Sequence, residues 1–296
     1  MDINTILQVA IGTIFVWIVL AFITSQVQDW IASALSWRAS MLEENIINML
    51  GDKNLTKKIY DHPLIKGLHT QKGTRKPGGI PADKFALVLF EEVMNSGVKV
   101  GDVKDTFDKL KKNVEALKSM DAGHELKDFA ISLDTLLIGI EDNTEKAIDN
   151  ISIARQRVES WFDNSMERLG GAYRRRMQGV ALVVGVVVAA VLNADTATIA
   201  TTLWQDPILR QTIVAQASQL QASDVTPQPG TPSLEDITKN VDQLKTLPIG
   251  WSAANLPKDG SGWAVKIFGI LITGMAAAQG APYWFDLLRK LLSRGK

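Results

Sequence analysis

Apolar and polar positions along this chain fall into two regimes. Three stretches are apolar almost without interruption, and the sequence between them alternates with the period of amphipathic helices. Residues 3–24 contain no charge, 177–192 run from Met177 through a valine-rich segment, and 263–281 carry one lysine, Lys266, near one end. A helix that crosses a bilayer needs roughly 20 mostly apolar residues. The first stretch meets this outright and the third nearly does, while the second needs Asn193 and Ala194 to complete it. The pattern predicts an all-α polytopic membrane protein with three transmembrane helices, set in 1–25, 177–194 and 263–281.

Residues 26–176 read as a cytoplasmic helical domain. Helical periodicity continues past the first span through 26–50, with Trp30, Ala34, Trp37, Met41, Ile46 and Leu50 near one side and Gly51 as a stop. Residues 144–176 mirror this, with Ile148, Ile151, Val158, Leu169, Tyr173 and either Trp161 or Phe162 on one stripe, interrupted only by Gly170-Gly171. Two such helices are expected to pair as a stalk, the alternative being two separate surface helices. Between them, a Gly- and Pro-rich loop from His62-Pro63 to Pro81 precedes amphipathic segments at 82–95, 102–119 and, after Gly123, 125–140. Phe85, Leu89, Phe90, Phe107, Leu110, Phe129, Leu133 and Leu137 are their candidate core, and no period-two strand pattern competes.

Residues 195–262 read as a small external helical cap. Asn193 to Thr196 offer caps for a helix at 197–204, and Asp206-Pro207 opens another over 207–222. A proline-rich loop spans 224–232, an acidic capping box at Ser233 to Asp236 opens 234–245, and Leu247 to Trp251 turn the chain back. After Pro282, residues 282–296 fit an amphipathic helix on the cytoplasmic leaflet, with Trp284, Phe285, Arg289 and Lys290 at the interface; docking on the stalk is the alternative.

Charge sets the orientation. Most Lys and Arg residues lie in 25–178, whereas 194–262 carry only Arg210, Lys239, Lys245 and Lys258. Arg174, Arg175 and Arg176 precede the second span, and basic residues follow the third. By the positive-inside rule the N-terminus is outside and the C-terminus cytoplasmic. Trp30, Trp37, Tyr173 and Trp263 mark interfacial depths. The first stretch lacks the basic start and the cleavage site of a secretory leader and reads as a retained anchor.

At 296 residues with zero formal net charge, the chain offers no global field for nucleic acid. With no cysteine, disulfides, thiolate metal sites and cysteine nucleophiles are excluded. The three histidines have no metal-ligand spacing, and residues 67–79 lack a phosphate-binding ending, so no cofactor is expected. His62 reads as a turn residue, with Asp61 a candidate to orient it.

Leu192 to Thr196, Leu203 to Pro207, Leu247 to Trp251 and Gly280 to Leu288 together resemble the signature of a group of uncharacterised bacterial membrane proteins. Tyr60 to Leu68 and Arg157 to Phe162 also fit that group. The resemblance implies a bacterial inner-membrane location and lends no chemistry.

Small residues at helical spacing are the remaining signal. Gly179 and Gly185 lie in span two, and Gly269, Thr273, Gly274, Ala277, Ala278 and Ala281 form ladders in span three. Such ladders allow close helix approach. More small faces than three helices can use point to a homo-oligomer. The expected function is therefore a non-enzymatic scaffold or anchor in the bilayer that recruits a cytoplasmic protein, with a pore or transport subunit as the alternative.

Overall fold

In the computed structural model, residues 3–69, 75–96, 106–121, 126–140, 147–220, 247, 249–252 and 256–294 are described. The proline-rich loop 224–232, the capping box at Ser233, the helix expected over 234–245 and Gly123 lie outside them. The described residues contain no strand. They form α1 (Ile3–Ala34), α2 (Trp37–Leu50), α3 (Lys53–Asp61), α4 (Pro63–Lys66), α5 (Ala82–Met94), α6 (Thr106–Lys118) and α7 (Lys127–Leu137). These are followed by α8 (Ala147–Val191), α9 (Thr196–Gln205), α10 (Pro207–Gln219), α11 (Gly260–Ala278) and α12 (Ala281–Arg294). The chain divides into two compact units, 36–174 and 1–35 with 175–296.

The unit 36–174 is built on the faces that the periodicity marks. Phe85, Leu89, Phe107, Leu110, Phe129 and Leu133 are fully enclosed, and Phe90 packs at the edge. Of the two aromatic candidates in α8, Phe162 enters the core and stacks on Phe85 at 4.1 Å between ring centres, whereas Trp161 packs partly buried near Phe129. Leu42, Ile46 and Leu50 of α2 share this core with Ala154, Val158 and Phe162 of α8. Asn45 also donates to Ser165 at 3.0 Å. Buried Asn113 ties α6 to the end of α5 through the Val93 carbonyl.

Local signals set the helix ends. Asp52 caps α3 by accepting from the Leu55 amide at 2.7 Å. Gly51 closes α2 at φ 74°, a left-handed conformation that glycine adopts without steric cost. His62 caps α4: its Nδ1 accepts from the Leu64 amide, which leaves Nε2 to donate to Glu91 at 3.2 Å. Asp61 pairs with Lys66 rather than with His62. Truncating the ring at the centre of this unit, Phe162→Ala, is expected to cost about 3–5 kcal/mol, as large core aromatics do. Urea titration followed by the fluorescence of neighbouring Trp161 measures it.

The continuous helix expected through 26–50 is broken. Ser36 sits at φ 49°, ψ 33°, so α1 ends at Ala34 and α2 starts afresh at Trp37. Apolar period alone does not reveal a single left-handed residue. The converse holds at Gly170-Gly171, where α8 runs through without a break for 45 residues, roughly 67 Å.

In the second unit α1 is the central helix. Phe15, Val16, Leu20 and Ala21 are enclosed, and α9, α10, α11 and α12 all pack against it. A helix that is apolar all round is one buried on all sides. The outward faces around it are also apolar: Leu182, Val183 and Val187 of α8, and Val265, Phe268, Leu271 and Met275 of α11, are exposed. By length and composition α1 and α11 can each cross a bilayer, and the bent pair α8–α9 can be a third crossing.

Candidate functional site

The bend between α8 and α9, 52°, gathers the unusual chemistry of this unit. Its position follows from three contacts with α1. Gln28 donates to the Met177 carbonyl, Trp17 Nε1 donates to Thr196 Oγ1 at 3.1 Å, and Arg210 Nε donates to Gln8 Oε1. Trp17 lies near the midpoint of the charge-free stretch between Asp2 and Asp29. The break therefore sits beside the middle of the most apolar helix. The external cap expected over 195–262 is not separate from the spans, because α9 and α10 pack along α1, with Leu203 and Ile213 against Gly12.

Several backbone groups at the break find partners, as polar groups removed from water require. Asn193 takes φ 49°, its amide bonds the Ala190 carbonyl and the Ala194 amide bonds that of Ala189. This is a Schellman closure with asparagine in the usual glycine place. Gly250 N–H bonds the Leu192 carbonyl, Trp251 Nε1 bonds that of Ala190 at 3.0 Å, and Asn193 Nδ2 returns a bond to the Gly250 carbonyl. On the far side Asp195 caps α9: Oδ1 accepts from the Ala197 amide at 2.9 Å and Oδ2 from Thr198 Oγ1 at 2.6 Å. The Thr196 amide and hydroxyl both meet Thr273 Oγ1, at 3.0 and 2.7 Å. Buried Arg210 donates to the Leu203 and Trp204 carbonyls, and so closes the C-terminal end of α9.

An ion pair lies on this break. Lys266 and Asp195 are 4% and 3% exposed, with Nζ 4.0 Å from Oδ2. At that distance the pair is coulombic without a hydrogen bond. Trp251 presents its ring to the same ammonium at 5.9 Å. Lys266 read from sequence as a residue near a span end; α11 instead turns it inward, six residues beyond its first, Gly260. Asp195 read as a cap and is one, but its second role as a counter-charge was not visible. An open cleft of about 440 Å³ leads to the pair, with Asp259, Ser261, Leu256 and Pro257 among its walls. Asp259 caps α11, and its bonds from the Gly262 amide and the Ser261 hydroxyl hold its carboxyl below the usual aspartate range.

The small-residue ladders are used inside the chain. A Cβ on Gly269 would overlap the Asp195 carboxylate outright. One on Gly185 would lie 2.6 Å from the Gly274 carbonyl, and one on Gly274 2.6 Å from Val186. Thr273, Ala277 and Ala281 are buried, and Ala278 lies against Gly185. Gly179 faces open space.

The residues assigned to the membrane interface divide. Trp30 and Trp263 are exposed, Trp37 and Tyr173 half-buried, and Arg174, Arg175 and Arg176 exposed. Trp284 and Phe285 instead turn inward. Trp284 lies 4.5 Å from Trp17 and donates to the Ala276 carbonyl, and Phe285 is buried beneath Arg289, with Lys290 exposed. Helix α12 thus packs on α1 through Ala281, Phe285 and Leu288.

Three of the four motifs that carry the sequence resemblance meet around the break. Leu192 to Thr196 form it, Gly250 and Trp251 bond its carbonyls, and Leu203 to Pro207 carry α9 into α10. No family model, no curated protein and no solved structure matches the chain.

Proposed function

We propose that the chain is a non-enzymatic anchor in a bacterial inner membrane. It crosses three times, with the N-terminus outside and the C-terminus cytoplasmic, and holds residues 36–174 in the cytoplasm to recruit a protein partner. The observation that carries this reading is the contrast between the two units. One wears apolar side chains on its outer face, as a lipid-facing surface does. The other closes its own core and is charged outside.

The recruiting surface on this reading is the groove of about 410 Å³ between the end of α7 and α8. Leu136, Ile153 and Trp161 give it an apolar floor, and Gln156, Ser160 and Asn164 a polar rim. Arg157 braces it by donating to the Leu136 and Ile138 carbonyls. Ile153 and Ile138 are both exposed beside it. An apolar floor with a polar rim suits a protein interface. The test is recovery from native membranes after cross-linking. Ile153→Asp is expected to insert normally and to lose a protein that the unchanged chain retains. Equal recovery by both removes the reading.

A pore or transport subunit is the second reading, favoured by the polar break and the buried Asp195–Lys266 pair, because ionisable groups at membrane depth mark pathways more often than packing. Reconstituted protein that passes no current and no solute argues against it. Self-association no longer draws on Gly185, Gly269 and Gly274, which are spent within the chain. A homo-oligomer would form through the outward face of α11, at Phe268, Leu271 and Met275.

A further inference from the structure

The cleft that opens onto Lys266 has the charge layout of a binding site. Two helix N-termini converge there: α9 behind Asp195 and α11 behind Asp259. Each end concentrates partial positive charge that its aspartate caps, and Lys266 lines the same cleft. That ammonium has three donors and is 4% exposed. Among the described residues it makes no hydrogen bond; it has only Asp195 at 4.0 Å and the Trp251 ring face. With Asp195 as its counter-charge, the ammonium still has donors to offer to an acceptor in the cleft that it lines.

The second charge is at the mouth. Asp259 is exposed and spends its two oxygens on Gly262 and Ser261, one bond each, so acceptor capacity remains toward the cleft. Lys266 lies six residues beyond Gly260 on α11, roughly 9 Å deeper. The walls between them, Leu256, Pro257 and Val265, are apolar, and the volume of about 440 Å³ is that of a small-molecule site. A bare anion would meet two carboxylates and one ammonium, and a bare cation would meet two helix N-termini. A molecule carrying both charges satisfies both ends.

We propose that this cleft binds a small zwitterion. Its phosphate or carboxylate sits on Lys266 near the α9 N-terminus, and its amine sits on Asp259 at the mouth. The inference is independent of both readings above. Two sources share this chemistry, a free amino acid or amino-phosphate and the ethanolamine headgroup of a phospholipid.

The test uses the full chain in nanodiscs of phosphatidylglycerol, titrated by calorimetry with O-phosphoethanolamine, L-serine, inorganic phosphate and ethanolamine. Saturable binding of O-phosphoethanolamine or L-serine is expected, with phosphate and ethanolamine each at least roughly tenfold weaker, because each forfeits one charged contact. A parallel arm adds phosphatidylethanolamine to the nanodisc; if the headgroup is the natural source, the soluble zwitterion is displaced. Asp259→Asn, at an exposed position, is expected to weaken binding roughly tenfold, and Val265→Trp to abolish it by filling the cleft. Both spare the buried pair, so folding is not in question. Lys266→Met is expected to abolish binding as well. Equal affinity for phosphate and O-phosphoethanolamine would overturn the zwitterion. No binding of any probe in nanodiscs lacking phosphatidylethanolamine, or binding untouched by Val265→Trp, would overturn the site.

Discussion

Gly269→Ala is expected to destabilise the unit built on α1 by about 3 kcal/mol, a large effect for one methyl group. The added Cβ would occupy the space of the Asp195 carboxylate, and Asp195 is the N-cap of α9. The substitution therefore combines overpacking with the loss of a cap, each worth about 1–3 kcal/mol. Asp195 cannot retreat cheaply, because its two oxygens are fixed by Ala197 and Thr198 and its charge faces Lys266. Gly179→Ala is the matched control. Nothing lies within 4 Å of a Cβ there, so the change is expected to be neutral or to stabilise α8 by up to about 1 kcal/mol. Reversible denaturation in mixed micelles, read by circular dichroism, separates the two. Similar losses for both would show that the close approach of Asp195 to α11 does not govern stability.

The second large effect is at the ion pair. Lys266→Met leaves the Asp195 carboxylate enclosed with no counter-charge, and Asp195→Asn leaves the ammonium so. Each is expected to cost about 3–5 kcal/mol, the range for breaking one side of a buried pair. The double variant Asp195→Asn with Lys266→Met is expected to cost less than either single change, because it buries no lone charge and the amide oxygen of Asn still caps α9. The double-mutant cycle isolates the coupling. Additive losses would mean that the two residues act only as a cap and as a packing stem.

How far the sequence reaches can be seen at particular residues. The faces of α5, α6 and α7 were legible because a helix repeats every 3.6 residues and core residues repeat with it, so Phe85, Leu89, Phe107 and Leu133 fell where expected. Asp206-Pro207 was legible for a local reason: a capping carboxylate and a proline without an amide suit one place in a helix. Gly185, Gly269 and Gly274 were legible as close-packing positions, but not whose helix they would meet, and Gly179, read the same way, meets nothing. What stayed hidden depends on tertiary partners. Asp195 looks like any cap until α11 brings Lys266 to it. The depth of the α8–α9 break depends on the register against Trp17, which no local pattern encodes. Trp284 and Phe285 carry the composition of an interfacial helix, and the same composition packs on α1. Ser36 has no glycine-like signal, so the end of α1 was unreadable.

On the proposed reading, residues 36–174 lie on the cytoplasmic side of a membrane crossed three times. Because the natural chain has no cysteine, single cysteines report without background. Ser261→Cys at the mouth of the cleft and Ser293→Cys near the end of α12 replace exposed serines, and Ser132→Cys in α7 replaces a half-buried one. In intact spheroplasts, a membrane-impermeant maleimide is expected to label Ser261→Cys alone; in inverted vesicles it is expected to label Ser132→Cys and Ser293→Cys. Labelling of Ser132→Cys from outside, or of Ser261→Cys and Ser293→Cys from the same side, would contradict the account.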